Sequence, residues 1–282
     1  MTGLCDFPLS KPSTIFIGRA AIRALHTELL LYPKPGLVSA VDNGAHDDMD
    51  AGTFLRSIFA LRHYFKAIAS AGAAGSPFPI LQHLGIEAER RMLRATGGVN
   101  THRGGIFCMG LLAAAAGWRH HRGLDCNAEA LAETVVTVWG GGISNAGRAA
   151  ANSHGDRAVR LYGARGAREE ALAGFPTLLR VALPTLRSTF KRLGCWEHAC
   201  IQTLFAAMAD LQDTNLLHRG GPEGLRFVQM AARDFLDKGG VYSPAWRSRA
   251  LALHGDCVAL NLSPGGAADV LAAACFLYEL QT

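Results

Sequence analysis

The sequence predicts an all-α fold, a helical bundle of about ten helices with its polar groups in loops at one end. Apolar residues recur at spacings of three and four along most of the chain, as on the buried face of a helix. Alternating strand patterns and hairpin turns are nearly absent, and the segments between helices are short. The 282 residues are 49% apolar and 18% charged, a composition typical of a globular protein with a sizeable core.

The predicted helices follow an irregular arm over residues 1–12. Ser13 or Thr14 can cap the first helix, and Ser263 followed by Pro264 is a strong start signal for the last one. The helix from residue 106 is apolar almost all round and should therefore lie at the centre. The predicted helices cover about residues 14–31, 53–70, 79–95, 106–118, 127–139, 176–193, 197–211, 222–236 and 263–280, with a short one from residue 243.

No internal repeat or linker divides the chain, so we expect a single catalytic domain over residues 1–282. The net charge of +5 is mild and scattered, which argues against a nucleic-acid partner. Asp6, Pro8 and Pro12 interrupt any signal peptide, and no apolar stretch is long enough to span a membrane. The seven cysteines form no Cys-x-x-Cys pair, which favours reduced thiols and a cytoplasmic location.

The segment from residue 28 to residue 50 is the first candidate functional element. Two prolines hold Lys34 in extended backbone, and Asp42-Asn43-Gly44 predicts a turn. A group of titratable side chains then precedes the next helix: His46, Asp47, Asp48 and Asp50. An ordinary connector in which Asp48 or Asp50 caps that helix is an equally good interpretation of this segment alone.

Three glycine-rich helix starts predict anion binding, because their free N–H groups and the helix dipole attract negative charge. They lie at Gly104-Gly105, at Gly220-Gly221 and at Gly265-Gly266, each beside basic or carboxylate side chains. Carboxylates, arginines and helix starts together are what a Mg²⁺–polyphosphate site requires. No Walker or dinucleotide-binding motif is present, so neither standard nucleotide fold applies.

Several motifs in order resemble the triphosphoribosyl-dephospho-CoA synthase family, from about Ala20 to the end of the chain. The motifs are Pro33-Lys-Pro-Gly-Leu-Val38, Asn43-Gly-Ala-His-Asp-Asp-Met49, Gly98-Val-Asn-Thr-His-Arg-Gly-Gly105, Ser153-His-Gly155, Gly166-Ala-Arg-Glu-Glu-Ala171 with Gly174-Phe-Pro176, Asp213-Thr-Asn215, and Ser263-Pro-Gly-Gly266 with Asp269. They are most similar to the branch that serves malonate decarboxylase. One departure is Glu169-Glu170, where many relatives have Gly-Glu, which leaves open which glutamate matters.

The resemblance implies a transferase that makes 2′-(5″-triphosphoribosyl)-3′-dephospho-CoA from ATP and 3′-dephospho-CoA and releases adenine. The product is the precursor of a prosthetic group on an acyl carrier protein, so a downstream transferase is an indirect partner. Such a reaction passes through an oxocarbenium-like state at ribose C1, where a carboxylate can stabilise charge or accept a proton. Mg²⁺ is the expected cofactor, and the sequence is compatible with a homodimer.

The candidate residues fall into three roles. The catalytic candidates are His46, Asp47, His154 and Glu170. The substrate-binding candidates are Lys34, Asn100, His102, Arg103, Gly104, Gly105, Arg168, Arg219, Gly265 and Gly266, with Lys34, His102, Arg103, Arg168 and Arg219 as the triphosphate clamp. The metal candidates are Asp48, Asp213 and Asp269. His46 is the first choice of general base, because its ordinary pKa lies near 6.5.

Three alternatives remain at this point. In the first, the same reaction serves citrate lyase. The second is a non-catalytic assembly factor for a carrier protein, which would need few of these charged loop residues. An all-α metal-dependent phosphohydrolase is the third, suggested by His46-Asp47 with His26 as a further ligand. Release of adenine from ATP, as opposed to phosphate or nothing, distinguishes the synthase from the last two.

Overall fold

The computed structural model describes residues 13–149 and 154–282, except for the side chains of residues 147–156. The described part is helical and contains no strand, which confirms the all-α prediction. The predicted arm over residues 1–12 lies outside the described residues. No helix in the described ranges is long and apolar enough to cross a membrane.

The helices alternate with short turns, and we number them in chain order. They are α1 (Thr14–Leu30), α2 (Ala51–Leu61), α3 (Tyr64–Ala73), α4 (Phe78–Ala95), α5 (Arg103–His121), α6 (Ala128–Thr134), α7 (Gly140–Ala149), α8 (His154–Tyr162), α9 (Ala167–Leu172), α10 (Leu183–Leu193), α11 (Trp196–Asp210), α12 (Thr214–Asp237), α13 (Trp246–Ala259) and α14 (Gly265–Gln281). Two π-helical turns, Val135–Trp139 and Leu178–Ala182, run directly into α7 and α10.

Helix α5 is the centre of the bundle, as its apolar sequence predicts. Almost every residue from Gly105 to Gly117 is buried. It packs closely against α3, because a Cβ on Gly117 would overlap the carbonyl of Ala69, and one on Gly72 would overlap the carbonyl of Ala114. Helices α1, α4 and α14 also pack against α5, so its N-terminus is fixed deep inside the fold.

Helix boundaries differ from the predictions where tertiary contacts or glycines interrupt the chain. The helix predicted over 53–70 divides into α2 and α3, and the Tyr64 hydroxyl donates to the carbonyl of Ile106 at 2.9 Å. The β-branched stretch before Trp139 is a π-helical turn. Helix α12 begins at Thr214, earlier than predicted, and is broken at Gly221 (φ 61°), directly before Pro222.

Candidate active site

The motif-bearing loops line one cavity of about 1540 Å³. One wall is apolar and comes from α3, α4 and α5 through residues such as Ile68, Leu81 and Leu111. The other wall is polar and consists of residues 45–49, 97–104, 165–170, 211–215 and 261–266, with neighbouring side chains. Sites for one small molecule are typically about 300–1,000 Å³, so this cavity is large enough for two ligands or one long ligand.

Most of the predicted site residues line this cavity. They are His46, Asp47, Asp48, Asn100, His102, Arg103, Gly104, Arg168, Glu170, Asp213, Arg219, Gly265, Gly266 and Asp269. Lys34 and Gly105 lie behind the wall. His154 begins α8, and its side chain lies outside the described part of the chain. His26 is exposed on α1 and does not line the cavity, so it is not placed to share a metal with His46.

Lys34 does not fit the predicted role of a triphosphate ligand. Its side chain is 1% exposed, and its ammonium group donates to Glu28 at both the carboxylate (2.5 Å) and the main-chain carbonyl (2.7 Å). Burial lowers the pKa of Lys34, whereas the Glu28 carboxylate opposes that shift. The sequence showed Lys34 between two prolines but gave no sign that Glu28, six residues earlier, faces the same interior space.

His46 is held at the polar wall by Arg219 and Ser263, and the Asp48 carboxylate lies 3.5 Å from its Nδ1. Its Nδ1 accepts a hydrogen bond from the Arg219 guanidinium at 3.0 Å, and its Nε2 lies 2.9 Å from the Ser263 hydroxyl. Arg219 also donates to the Ala45 carbonyl and the Asn261 side chain. Burial, followed by the charge of Arg219, lowers the pKa of His46 below its ordinary value. Asp48 opposes this shift, and the contacts with Arg219 and Ser263 fix the orientation of the imidazole ring.

Asp213 connects the N-termini of two helices. As the N-cap of α12 it accepts from the backbone N–H groups of Asn215 (2.8 Å) and Leu216 (3.4 Å). Its other carboxylate oxygen accepts from the N–H of Ala267, in the first turn of α14, at 3.0 Å. Asp213 is 2% exposed, and burial raises its pKa, whereas these backbone bonds oppose the increase. Its oxygens are thus occupied by helix N–H groups.

Asp269 lies against the start of α5. A Cβ on Gly104 would overlap the Asp269 carboxylate, so glycine is required for this approach, and the N–H of Gly105 donates to the same group. Burial raises the pKa of Asp269 well above its usual range, and the nearby carboxylates of Glu28 and Asp213 add to this shift. The glycine-rich starts of α5 and α14 therefore contact carboxylates of the protein itself, where the sequence predicted ligand phosphates.

Arginines are distributed around the rim of the cavity. The Arg103 guanidinium pairs with Glu89 of α4, and its backbone N–H is capped by the Asn100 side chain at 3.2 Å. Arg168 is half-buried at the start of α9, and Arg165 is exposed beside it. With Arg219, four guanidinium groups line the cavity among the described residues, but eight carboxylates do so as well: Glu28, Asp47, Asp48, Glu89, Glu169, Glu170, Asp213 and Asp269.

The two adjacent glutamates of α9 have different environments. Glu169 accepts from the N–H of Gly166 at 2.9 Å and so caps its own helix. Glu170 accepts from the N–H of Thr177 at 3.2 Å, and burial raises its pKa above the usual value. A carboxylate with a raised pKa is a stronger base, so Glu170 is the better suited of the two to accept a proton.

The donors fit Mg²⁺ only when a ligand supplies most of the oxygens. In the described residues, no group of three or more His, Cys, Asp or Glu side chains could hold a metal ion. Asp213 is engaged with helix N–H groups, whereas Asp48 is 60% exposed at the rim and Asp269 faces the cavity. Mg²⁺ commonly binds through one or two carboxylates together with substrate phosphates. Asp48 at the rim and Asp269 inside the cavity are two separate positions at which a single carboxylate could contribute to such a site.

Sequence reasoning missed several residues of this site. Glu28, Glu89 and Ser263 contact Lys34, Arg103 and His46, respectively. Glu28 and Glu89 lie within predicted helices, where a glutamate gives no signal that distinguishes a site from a solvated surface. Ser263, followed by Pro264, predicted the start of the last helix. That pattern explains Ser263 as a helix cap but does not indicate that it contacts His46.

Comparisons with known proteins agree with the sequence motifs. Residues 15–282 match the CitG family model, described as ATP:dephospho-CoA triphosphoribosyl transferase. The chain is 39% identical over 281 residues to the 2-(5''-triphosphoribosyl)-3'-dephosphocoenzyme-A synthase of Pectobacterium atrosepticum, covering 96% of this chain and 91% of that protein. It is 42% identical over 266 residues to a probable synthase of the same name from Pseudomonas syringae pv. tomato, covering 93% and 90%. No solved structure matches the chain. The predicted family resemblance is confirmed.

Proposed function

Because the chain belongs to the ATP:dephospho-CoA triphosphoribosyl transferase family, we propose that it joins ATP and 3′-dephospho-CoA with release of adenine. The bond between ribose C1 and adenine N9 breaks, and its electron pair leaves with adenine. The 2′-oxygen of dephospho-CoA bonds to C1. The hydroxyl loses one proton to a base of the site and adenine gains one, so the overall reaction balances. The single observation that carries this proposal is the large cavity in which most of the family motifs meet, among the residues that the structure describes.

The triphosphate belongs at the arginine-lined rim of the cavity in this proposal. Arg103, Arg168 and Arg219 can each offer N–H groups to phosphate oxygens, and Arg165 lies beside them. Binding energy from this remote group can orient the ribose for reaction. Arg103 would exchange Glu89 for phosphate, since the two are paired in the structure.

The charges of this cavity favour a triphosphate that binds together with Mg²⁺. Carboxylates that remain charged in this cavity, such as the exposed Asp47 and Asp48, would repel a triphosphate that arrived without a counter-ion. A bound Mg²⁺ would neutralise part of that charge, with either Asp48 or Asp269 as a protein ligand. Turnover should therefore fall to background in EDTA and return when excess Mg²⁺ is added, and full turnover in EDTA would exclude the metal.

The proton acceptor for the 2′-hydroxyl is a choice between His46 and Glu170, and the contacts favour Glu170. Both ring nitrogens of His46 have hydrogen-bond partners, so accepting a proton would break its bond from Arg219. Glu170 lines the cavity, is partly buried and has a raised pKa. Glu170→Gln should lower kcat by about 10²–10⁴-fold with small changes in either KM. A normal kcat in that variant would return the role to His46 or Asp47.

We assign the product to the prosthetic group of the malonate decarboxylase acyl carrier protein, on the similarity of the motifs to that branch. Citrate lyase is the alternative destination. Expression of the chain in a host that lacks its own synthase distinguishes the two, because the rescued growth would depend on malonate or on citrate.

The activity itself is tested by following adenine. Purified protein, ATP and 3′-dephospho-CoA should yield one adenine per triphosphoribosyl product, measured by chromatography and mass spectrometry. Omission of dephospho-CoA is the control and should abolish adenine release. Phosphate release without adenine would instead support the phosphohydrolase. Formation of neither product would support the non-catalytic assembly factor.

A further inference from the structure

His102 is a buried histidine with one unused polar atom at the wall of the cavity. The residue is 3% exposed, and its Nε2 has no hydrogen-bond partner in the structure. Its ring is fixed by an edge-to-face contact with Phe54 at 4.9 Å between centroids and by the Ser57 hydroxyl, 2.6 Å from Nδ1. A buried polar atom without a partner is costly, so this geometry points to a partner that arrives with a ligand.

The hydroxyl groups around Nδ1 assign the proton of the ring to Nε2. The hydroxyls of Ser57 (2.6 Å) and Thr101 (3.1 Å) both lie within hydrogen-bond distance of Nδ1, and they bond to each other at 2.7 Å. Since two O–H groups meet at Nδ1, we assign Nδ1 as the acceptor and Nε2 as the protonated nitrogen. Burial, with a smaller contribution from the Lys34 charge, lowers the pKa of His102 to about 3. His102 is therefore neutral at physiological pH, and its unused atom is an N–H donor.

The surroundings of His102 are unsuited to a triphosphate. The nearby ammonium group of Lys34 is already paired with Glu28, and the Glu28 carboxylate itself lines the cavity. Gly104, two residues after His102, contacts the carboxylate of Asp269. The charge that acts on His102 is Lys34, which is already paired, and the ring neighbour is Phe54. A neutral donor in this setting suits an aromatic heterocycle with acceptor nitrogens, such as adenine, better than a polyanion.

We propose that His102 donates a hydrogen bond from Nε2 to a ring nitrogen of the adenine of ATP and stabilises adenine as it leaves. This inference rests on the proposed function and names the half of ATP that His102 contacts. As the bond from C1 to N9 breaks, the electron pair moves into the adenine ring, and a fixed donor lowers the energy of that charge. His102 keeps its proton throughout. The prediction that His102 belongs to the triphosphate clamp is replaced by this role.

Substitution by phenylalanine removes the donor and keeps the shape of the ring. We expect His102→Phe to raise the dissociation constant for Mg²⁺–ATP about tenfold and to lower kcat about 10–100-fold, whereas the dissociation constant for inorganic Mg²⁺–tripolyphosphate stays within twofold of wild type. His102→Gln keeps an amide N–H and should recover part of both losses. Calorimetry measures the two affinities without turnover, and adenine release measures kcat.

The chain supplies a matched control at the other end of α5. His120 also has a buried ring nitrogen without a partner, at Nδ1, but does not line the cavity. His120→Phe should leave both affinities and kcat unchanged. Melting temperatures of all variants identify any that fail to fold, in which case His102→Gln carries the comparison.

The possible outcomes separate this inference from the proposed function. If wild type binds ATP but releases no adenine with both substrates present, the proposed function fails. If wild type is active and His102→Phe weakens tripolyphosphate as much as ATP, His102 contacts the triphosphate and our inference is overturned. Unchanged ATP affinity and kcat would also overturn it. The pH dependence gives a further test. If His102 were a cation that binds phosphate, wild type would bind ATP more tightly than His102→Phe at pH 6 but not at pH 8. If His102 is a neutral donor, the difference in ATP affinity is the same at both pH values.

Discussion

Asp213→Asn distinguishes a structural carboxylate from a metal ligand. The amide has only one oxygen, so it could accept from the N–H groups of either α12 or α14 but not of both. In either orientation its NH₂ group would face the backbone N–H groups of the other helix, and two donors cannot form a hydrogen bond. Loss of one charge-assisted hydrogen bond costs about 1.5–3 kcal/mol, and a buried unpaired N–H costs about 1–3 kcal/mol. Relief of repulsion between Asp213 and Asp269 offsets part of this loss.

We therefore expect the free energy of unfolding to fall by about 2–3 kcal/mol. In a protein of this size that corresponds to a melting temperature roughly 4–12 °C lower, measured by calorimetry or circular dichroism. The Mg²⁺ concentration for half-maximal turnover should stay within about twofold, whereas a metal ligand would shift it strongly. Asp48→Asn, at an exposed position, is the stability control. An unchanged melting temperature with a large shift in Mg²⁺ dependence would refute the structural role.

Three further predictions concern single contacts of the site. Arg219→Gln removes a charge that lowers the pKa of His46, so this pKa should rise toward its ordinary value near 6.5, measured by NMR titration of the His46 ring. An unchanged pKa of His46 in the variant would contradict the electrostatic effect of Arg219. Gly104→Ala should lower kcat at least tenfold by displacing Asp269, whereas Gly255→Ala, where a Cβ meets open space, should leave kcat unchanged. Lys34→Met leaves Glu28 buried without a counter-ion and should destabilise the fold by about 3–5 kcal/mol, and Lys34→Met/Glu28→Met should recover much of that loss. A single variant with normal stability and a raised KM for ATP would instead support the role of Lys34 in binding the triphosphate.

The sequence was sufficient to predict the fold class and the central helix because both depend on patterns that lie within a segment. The apolar run after Gly105 could only be a buried helix, and the structure places it at the centre. The division of the predicted helix over 53–70 was missed, because a contact made by Tyr64 with α5 has no local signature. The same limit explains why the sequence did not predict the hydrogen-bond and ion-pair partners of the residues that line the cavity.

Glycine-rich helix starts illustrate the part that sequence could not supply. Free N–H groups at a helix start attract any anion, whether a phosphate or a carboxylate of the protein. At α14 that anion is Asp213, and at α5 it is Asp269, 164 residues later in the chain than Gly105. Local sequence shows that a helix start is open, but only tertiary structure shows which anion occupies it.

Several charges in the wall of this cavity are paired within the protein before any ligand binds. Arg103 is paired with Glu89, Lys34 with Glu28, and the helix starts of α12 and α14 with Asp213. A polyanion must therefore displace a carboxylate or bring its own cation, and the second route leaves the structural pairs intact. Arg103 is partly exposed whereas Lys34 is buried, so exchange of partners is feasible for Arg103 and unfavourable for Lys34. Burial thus separates the cations that can bind a substrate from those that hold the wall in place.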